Sequence, residues 1–336
     1  MTRIVVDAMG SDDFPAPDVE GSVNAAREYG VEIILVGDEA KITPVLDAQK
    51  PGTLPIRIVH TPEMLTMEDK GETLTFKARH GKSSMAVGMD LVKNGEADAF
   101  VTAGNTGAGM VTALLRLGRI RGVDRPAVAP IFPTATGSCV VLDIGANPDC
   151  KPENLIQFGI MGSVYAEKVR GVKNPRVGLI SNGEEEGKGN ELVKAATPLF
   201  KKSKLNYYGN VEGKEVLGGK VDVAVTDGFT GNVMLKTAEA VGKLILEQVK
   251  VKIKNGGPLT MLGGLLVRPA LTGLKSLLDP SEQGAAVLLG VNGLVLIGHG
   301  RSDATAIKSA IRLAKDAAES NMMDAMKAAI EENLKS

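Results

Sequence analysis

Between Val101 and Met110 the chain reads VTAGNTGAGM, and Gly104, Asn105, Thr106 and Gly107 within it have the types and spacing of an anion cradle. The stretch contains no acid, base or thiol. A helix that starts here would expose unpaired N–H groups and the positive end of its dipole, and glycine would let an anion come close to that backbone. One helix end contributes roughly 0.3–1 kcal/mol to holding a charge, so a strongly hydrated ion such as phosphate needs several donors together. A second stretch offers them. Setting Ala97–Met110 over Val221–Met234 pairs Thr102 with Thr226, Gly104 with Gly228, Thr106 with Thr230 and Gly107 with Gly231, seven of fourteen positions in all. Both stretches read as strand, loop and helix start, and two such loops on one edge would share one ion. The same residue types would also serve as ordinary helix caps.

Three further groups of residues could do chemistry. SNGEEEGKGNEL places Lys188 between glycines, where its ammonium would neutralise a phosphate or an oxyanion with Glu184, Glu185 and Glu186 holding it. GHGRSDATAIKSAI puts His299 at a strand end, followed by Ser302 or Asp303 as a helix cap, and a histidine there can trade protons near neutral pH. VVLDIGANPDCKPENL offers Asp143 and Asn147, with Pro152 suited to the first turn of a helix. Cys139 falls inside the strand of this last segment, which suits core packing better than a nucleophile.

A repeated strand-then-helix pattern must position these groups. IVVDAMG, EIILVGD, DAFVTAG, CVVLDIGAN, RVGLISNG, DVAVTDG and GLVLIGHG are β-branched runs that each close in a polar glycine turn and precede or separate helix-like stretches. Runs apolar on both faces predict an α/β fold, a largely parallel sheet with helices on both faces. Sites in such folds lie at the C-terminal ends of the strands, so the polar turns sort onto one edge. The first turn, DAMGSDDFPAP, has one glycine and then acids, and the turn at Gly104 has the wrong glycine order for a dinucleotide fingerprint. No turn carries the GK[ST] of a P-loop, which disfavours NAD and ATP alike.

Composition narrows the partners. The 336 residues carry 39 Lys plus Arg against 40 Asp plus Glu, a formal net charge of -1, which argues against nucleic acid as the main partner. The two cysteines and three histidines lack metal-ligand spacing, so neither a metal site nor a disulfide framework is expected. MTRIVVDAMGSDD meets acid too early for a signal-peptide core, and a reducing cytosolic compartment fits.

VVDAMGSDDFP, GKSSMAVGMDLVKNGEADAFVTAGNTGAGM, RPAVAPIFP, VLDIGANPDCKPENLIQFGIMGSVYA, ISNGEEEGKGNEL, VDVAVTDGFTGNVMLKTAEA and GHGRSDATAIKSAI follow one another in order. Together they resemble the bacterial fatty acyl-ACP:phosphate acyltransferases of phospholipid synthesis, almost end to end. The resemblance implies transfer of a long-chain acyl group from the thioester of acyl carrier protein to inorganic phosphate, giving acyl phosphate for a membrane acyltransferase that acts on glycerol 3-phosphate. It also implies a homodimer with a fold like the isocitrate/isopropylmalate dehydrogenases and phosphotransacetylases, with no cofactor. Gly109 departs from the bulkier residue expected there, and Arg301 stands at a variable position.

Phosphate is itself the nucleophile in such a reaction, so no Ser-His-Asp or Cys-His arrangement is required. One preorganised donor to the oxyanion is worth about 2.7–4 kcal/mol. The expected phosphate and substrate contacts are Lys82, Ser83, Gly104, Asn105, Thr106, Gly107, Thr230 and Gly231, while Lys188, Asp227, Asn232 and His299 are expected to handle charge and protons. The long tail requires apolar surface, at about 0.8 kcal/mol per buried methylene. Gln248–Leu278 has five basic residues, no acid and, in LTMLGGLLVRPALTGLKSLL, eight leucines. Arg268 and Pro269 make spanning a bilayer unfavourable. A helix beginning near Pro269, with Leu271, Leu274 and Leu278 on one side, would suit an anionic membrane surface at the inner face of the plasma membrane, and a helical hairpin packing on a second subunit is the competing use. The expected organisation is one α/β domain over 1–336 with a hairpin insertion at about 232–280. A coenzyme A-dependent phosphotransacetylase or an NAD-dependent dehydrogenase on the same fold remains the alternative.

Overall fold

The computed structural model describes residues 1–66, 68–278 and 284–334, with the backbone alone at 274–278 and 334. Its strands are β1 (Arg3–Asp7), β2 (Glu32–Gly37), β3 (Ile56–His60), β4 (Ala99–Thr102), β5 (Ala127–Ala129), β6 (Ile131–Thr134), β7 (Gly137–Leu142), β8 (Arg176–Ile180), β9 (Asn206–Val211), β10 (Val223–Val225), β11 (Ala286–Leu289) and β12 (Val295–Ile297). Its helices are α1 (Ala16–Tyr29), α2 (Glu39–Ala48), α3 (Gly71–His80), α4 (Ser84–Lys93), α5 (Thr106–Arg116), α6 (Pro152–Lys168), α7 (Glu191–Lys202), α8 (Gly213–Leu217), α9 (Gly228–Asn255), α10 (Gly257–Leu278), α11 (Ala304–Glu319) and α12 (Met322–Leu334). Pro152 is the first residue of its helix, where its missing N–H costs nothing.

The parallel α/β reading holds, with the strands divided between two sheets. One sheet runs β3-β2-β1-β4-β12-β11-β5 and the other β6-β7-β10-β8-β9. β11 lies antiparallel to β12 and β5, and β6 antiparallel to β7; the other pairings are parallel. The chain passes from one sheet to the other at Pro130, between β5 and β6. Proline has no N–H to give a ladder, so the apolar stretch RPAVAPIFP breaks there into two short edge strands. The core does not break. Val6, Val101 and Leu296 of one sheet and Val140, Leu142 and Val223 of the other belong to one buried cluster with Phe158 and Tyr165 of α6. Burying each such large apolar side chain is worth about 1.5–3 kcal/mol.

Register then aligns the strand ends. Val6 faces Val101, and Thr102 faces Ile297, so the C-terminal ends of β1, β4 and β12 lie side by side. In the second sheet Val225 of β10 faces Leu142 of β7 and Leu179 of β8. Asp7 therefore ends β1 next to where Ala103 and Gly298 follow β4 and β12, and Asp143, Thr226 and Ser181 follow the adjacent strands β7, β10 and β8 of the other sheet.

α9 and α10 form the helical hairpin, beginning at Gly228 rather than near residue 232. α10 is continuous from Gly257 through Pro269 instead of starting at that proline. Leu265, Leu266 and Leu271, strong helix formers on both sides of Pro269, favour the helix against its lost backbone bond. Leu271 is half-buried; the Leu274 and Leu278 side chains lie outside the described residues. No helix among the described residues is long and apolar enough to cross a membrane.

Candidate active site

The β4–α5 turn is built by its own hydrogen bonds. Asn105 is the cap of α5, its Oδ1 accepting from the Ala108 amide at 3.0 Å. Thr106 and Gly107 are the first two helical residues, both exposed, and amides at these positions have no acceptor within the helix. The Gly104 amide donates to Thr102 Oγ1 at 3.0 Å, so it does not face the edge as a donor, contrary to expectation. Gly109 lets α5 lie against β12: a Cβ there would stand 3.2 Å from Ile297 Cδ1.

The β10–α9 turn, alike in sequence, is closed. Asp227 caps α9, accepting from the Thr230 amide and from the Thr230 hydroxyl, each at 2.8 Å. The Gly228 amide donates to the Asn147 carbonyl at 2.8 Å, and the Gly231 amide to the Asp227 carbonyl at 3.0 Å. Gly231 serves close approach, since a Cβ there would overlap the Asp143 carbonyl oxygen. The two loops expected to share one ion therefore differ: Thr230 gives its amide and hydroxyl to the Asp227 carboxylate, and the Gly231 amide goes to the Asp227 carbonyl within the helix.

The two sheets meet beside these turns. Asp143 lies fully buried at the end of β7, accepting from the Val128 amide at 2.9 Å and from the Asn147 amide at 2.6 Å. Burial pushes its carboxyl up, against the pull of those bonds. A cavity of about 290 Å³ opens between α5 and the turn after β7, lined by Met110, Leu114, Arg119, Arg125, Ala146 and Asn147 among others.

His299 stands next to the β4–α5 turn, because the Gly298 amide before it donates to the Thr102 carbonyl at 2.8 Å. The residue is exposed, yet the protein packed about its ring pushes the imidazole below its ordinary value; the charges of Lys236 and Arg301 push the same way and Glu239 opposes them. At neutral pH the ring is therefore uncharged and able to accept a proton. Asp303, not Ser302, caps α11. Ser302 instead donates to the His299 carbonyl at 2.6 Å.

Lys236 of α9, a helix that follows a strand of the other sheet, is among the charges that bear on His299. Asn232 lies one turn before Lys236 on the same face and packs by Gly145. Lys236, held by Glu239 at 3.0 Å, is the residue that sequence reasoning missed. In VMLKTAEA it has the look of an ordinary solvated helix lysine.

The remaining candidates lie on other turns. Lys188 is exposed in the turn after β8, and its expected acidic tethers pair elsewhere: Glu184 with Lys214 at 2.9 Å, and Glu186 with Lys201. Lys82 is exposed, its amide donating to Glu63 at 2.9 Å. Ser83 is buried and caps α4 through the Ala86 amide. Burial pushes the Cys139 thiol up to about 12 and the Cys150 thiol up to about 11, so neither supplies a thiolate nucleophile near neutral pH.

The chain is 46% identical over 329 residues to a phosphate acyltransferase of Pelotomaculum thermopropionicum, covering 98% of this chain and 95% of the relative. It is 47% identical over 318 residues to one of Geobacter sulfurreducens, covering 94% and 90%. Among solved structures it resembles the EutD phosphotransacetylase of Staphylococcus aureus, with a TM-score of 0.58, 18% identity and 94% of each chain covered. A phosphotransacetylase of Streptococcus pyogenes gives a TM-score of 0.58 at 17% identity, covering 100% of this chain and 94% of that one. At such identities the likeness is one of fold. The sequence family described as "Fatty acid synthesis protein" matches residues 2–325, and with these relatives it shows that the chain belongs to the fatty acid synthesis protein family of phosphate acyltransferases.

Proposed function

We propose that the protein transfers a long-chain fatty acyl group from the thioester of acyl carrier protein to inorganic phosphate, forming acyl phosphate for phospholipid synthesis. The observation that carries this reading is one open helix start, capped by a neutral amide, with an uncharged histidine on the adjacent strand end. The Thr106 and Gly107 amides and the Thr106 hydroxyl hold phosphate, with Asn105 fixing their direction. Lys236 and Asn232 face the same cleft from α9, and Lys188 and Lys82 add positive charge at its rim. Ser83, Gly104, Thr230 and Gly231 shape the surrounding turns, and Asp227 holds α9 in place. A phosphate oxygen attacks the thioester carbon, the carbonyl becomes an oxyanion, and the C–S bond breaks as the C–O bond is completed. The proton of hydrogenphosphate passes by way of His299 to the departing sulfur, so acyl phosphate and free thiol balance the reaction. One preorganised donor to the oxyanion is worth about 2.7–4 kcal/mol.

Phe229 and Val233, 67% and 52% exposed in the first two turns of α9, offer apolar surface for the acyl chain. Farther along, Leu244 and Ile245 of α9 and Leu259, Leu262, Leu265 and Leu266 of α10 are exposed too, a patch that marks an interaction surface. We assign the hairpin base to a homodimer and its tip to the anionic inner face of the plasma membrane, within a single α/β domain. Sedimentation tests the first assignment and flotation with anionic liposomes the second.

The deciding experiment is phosphate-dependent thiol release from palmitoyl carrier protein. Turnover is expected with that donor. Turnover with acetyl-CoA instead would make the enzyme a phosphotransacetylase, and NAD binding without acyl transfer would make it a dehydrogenase.

A further inference from the structure

Asp7, at the end of β1, does not reach the cleft, and the mechanism above makes no use of it. It is nonetheless buried, 1% exposed, beside Thr102, which is 1% exposed itself. Asp7 Oδ2 accepts the Thr102 hydroxyl at 2.8 Å and Oδ1 accepts the Met9 amide at 3.1 Å. Because the hydroxyl gives its proton to Asp7, its oxygen is left to accept the Gly104 amide at 3.0 Å. The chain of bonds runs one way, from the turn through Thr102 to the carboxylate.

Sterics close the same spot. A Cβ on Gly10 would stand 2.8 Å from Thr102 Oγ1 and 3.1 Å from Asp7 Oδ2, so the residue after Met9 must be small for the three groups to meet. Gly104 immediately precedes Asn105, and turning its amide inward sets the direction in which Thr106 and Gly107 present theirs. The second half lacks this relay. Asp143 holds the place of Asp7 at the end of β7, but it is bonded to the Val128 and Asn147 amides, while the Thr226 hydroxyl leans toward Asp227 at 3.5 Å.

We infer that Asp7, acting through the Thr102 hydroxyl and the Gly104 amide, is a positioning residue that aims the start of α5 at the phosphate. The inference rests on the reading of that helix start as the phosphate cradle. Its action is geometric and electrostatic, with no contact to substrate, and it would govern affinity for phosphate more than affinity for the acyl donor.

The test uses the full-length protein with inorganic phosphate and palmitoyl carrier protein as substrates. Thr102→Val removes the hydroxyl at nearly constant shape, and the expected result is a rise of about tenfold in KM for phosphate with KM for the acyl donor within twofold. Thr102→Ser, which keeps the hydroxyl, restores KM for phosphate to within about threefold, and Thr226→Val at the matching position leaves it unchanged. Should Thr102→Val fail to fold, Asp7→Asn carries the test, with a smaller rise in the same parameter. Hydrogen exchange of the 100–110 segment, read by mass spectrometry, is independent of turnover: Gly104 exchanges faster in the variant that lacks the hydroxyl or the carboxylate. Unchanged exchange at Gly104, or an unchanged KM for phosphate in a folded variant, overturns the relay. Absence of phosphate-dependent turnover in the unmodified enzyme overturns the acyltransferase reading instead, and the exchange result still decides the relay.

Discussion

Two glycine turns alike at seven of fourteen positions are capped differently. In the β4–α5 turn the cap is Asn105, and Thr106 is the first residue of the helix. In the β10–α9 turn the cap is Asp227, aligned with Ala103, so the helix starts two positions earlier in the match and Thr230 falls on its third residue. The difference turns on one side chain. Alanine at 103 offers no acceptor and leaves capping to a neutral amide two residues on, whereas aspartate at 227 draws in the Thr230 amide and hydroxyl. A neutral cap leaves the positive helix end unanswered, while a carboxylate answers it from within the chain. Similar motifs therefore need not make similar sites.

The comparison can be broken most sharply by giving the open turn the closed turn's charge. Asn105→Asp keeps the cap, since the two residues cap equally well. It also places a negative charge beside the phosphate. Like charges about 4 Å apart repel by about 4 kcal/mol at an effective dielectric near 20, and the exposure of Thr106 and Gly107 reduces this by about half. The expected outcome, read in steady-state kinetics, is a rise of about thirty- to a hundredfold in KM for phosphate. An unchanged KM would move the phosphate elsewhere.

His299 supplies the next test. Lys236 is among the groups that hold its imidazole low, so Lys236→Met raises that value and moves the acidic limb of the pH–rate profile to higher pH. Glu239→Gln, removing the charge that opposes the lowering, moves the limb the other way. A limb that stays put in both variants excludes His299 as the group that must be uncharged.

Stability should treat the two turns alike where affinity does not. Asn105→Ala and Asp227→Ala each remove one cap, worth about 1 kcal/mol, and each should lower Tm in a calorimetric scan by about 1–2 °C. Losses that differ severalfold between the variants would mean that one cap supports more than its own helix.

The smallest effect separates the helices that follow β1 and β7. Asp18 lies in α1 at the same distance from Asp7 as Asn154 lies in α6 from Asp143. Burial, with the nearby Asp7 charge, pushes Asp18 up to about 7, while Ser11 donates to it at 2.5 Å. In the unfolded chain its value is near 3.8. Between those values the unfolded state binds fewer protons than the native state, so stability is full below about 4 and is lost as pH rises through about 7. Asp18→Asn, copying Asn154, should raise Tm above the unmodified protein at pH 8, with the gap closing toward pH 4. A gap that does not vary with pH would remove Asp18 from the account.

Much of this was legible in the sequence because it is local. An apolar run that ends in Gly-Asn-Thr-Gly marks a strand end and a helix start, and His299 after GLVLIG marks another strand end on the same edge. What escaped depends on contacts across long stretches of chain. Lys236 bears electrostatically on His299, 63 positions further along the chain, and nothing in its own neighbourhood announces that. Glu184 and Glu186 stand next to Lys188 in sequence but find Lys214 and Lys201 in space. The division of the sheet hangs on Pro130, one residue inside a run that otherwise reads as a single strand. Which of two similar turns stays open depends on whether position 103 or 227 carries an acceptor, a distinction that alignment of the glycines conceals.

α9 is one uninterrupted helix of 28 residues, about 42 Å from end to end. Its first turns carry Asn232 and Lys236, and its far turns lie among the exposed leucines of the hairpin. A stiff rod has no independent ends. Whatever grips the outer end also fixes the tilt of the inner one, so the placing of Asn232 and Lys236 is set partly by a surface some tens of ångströms away.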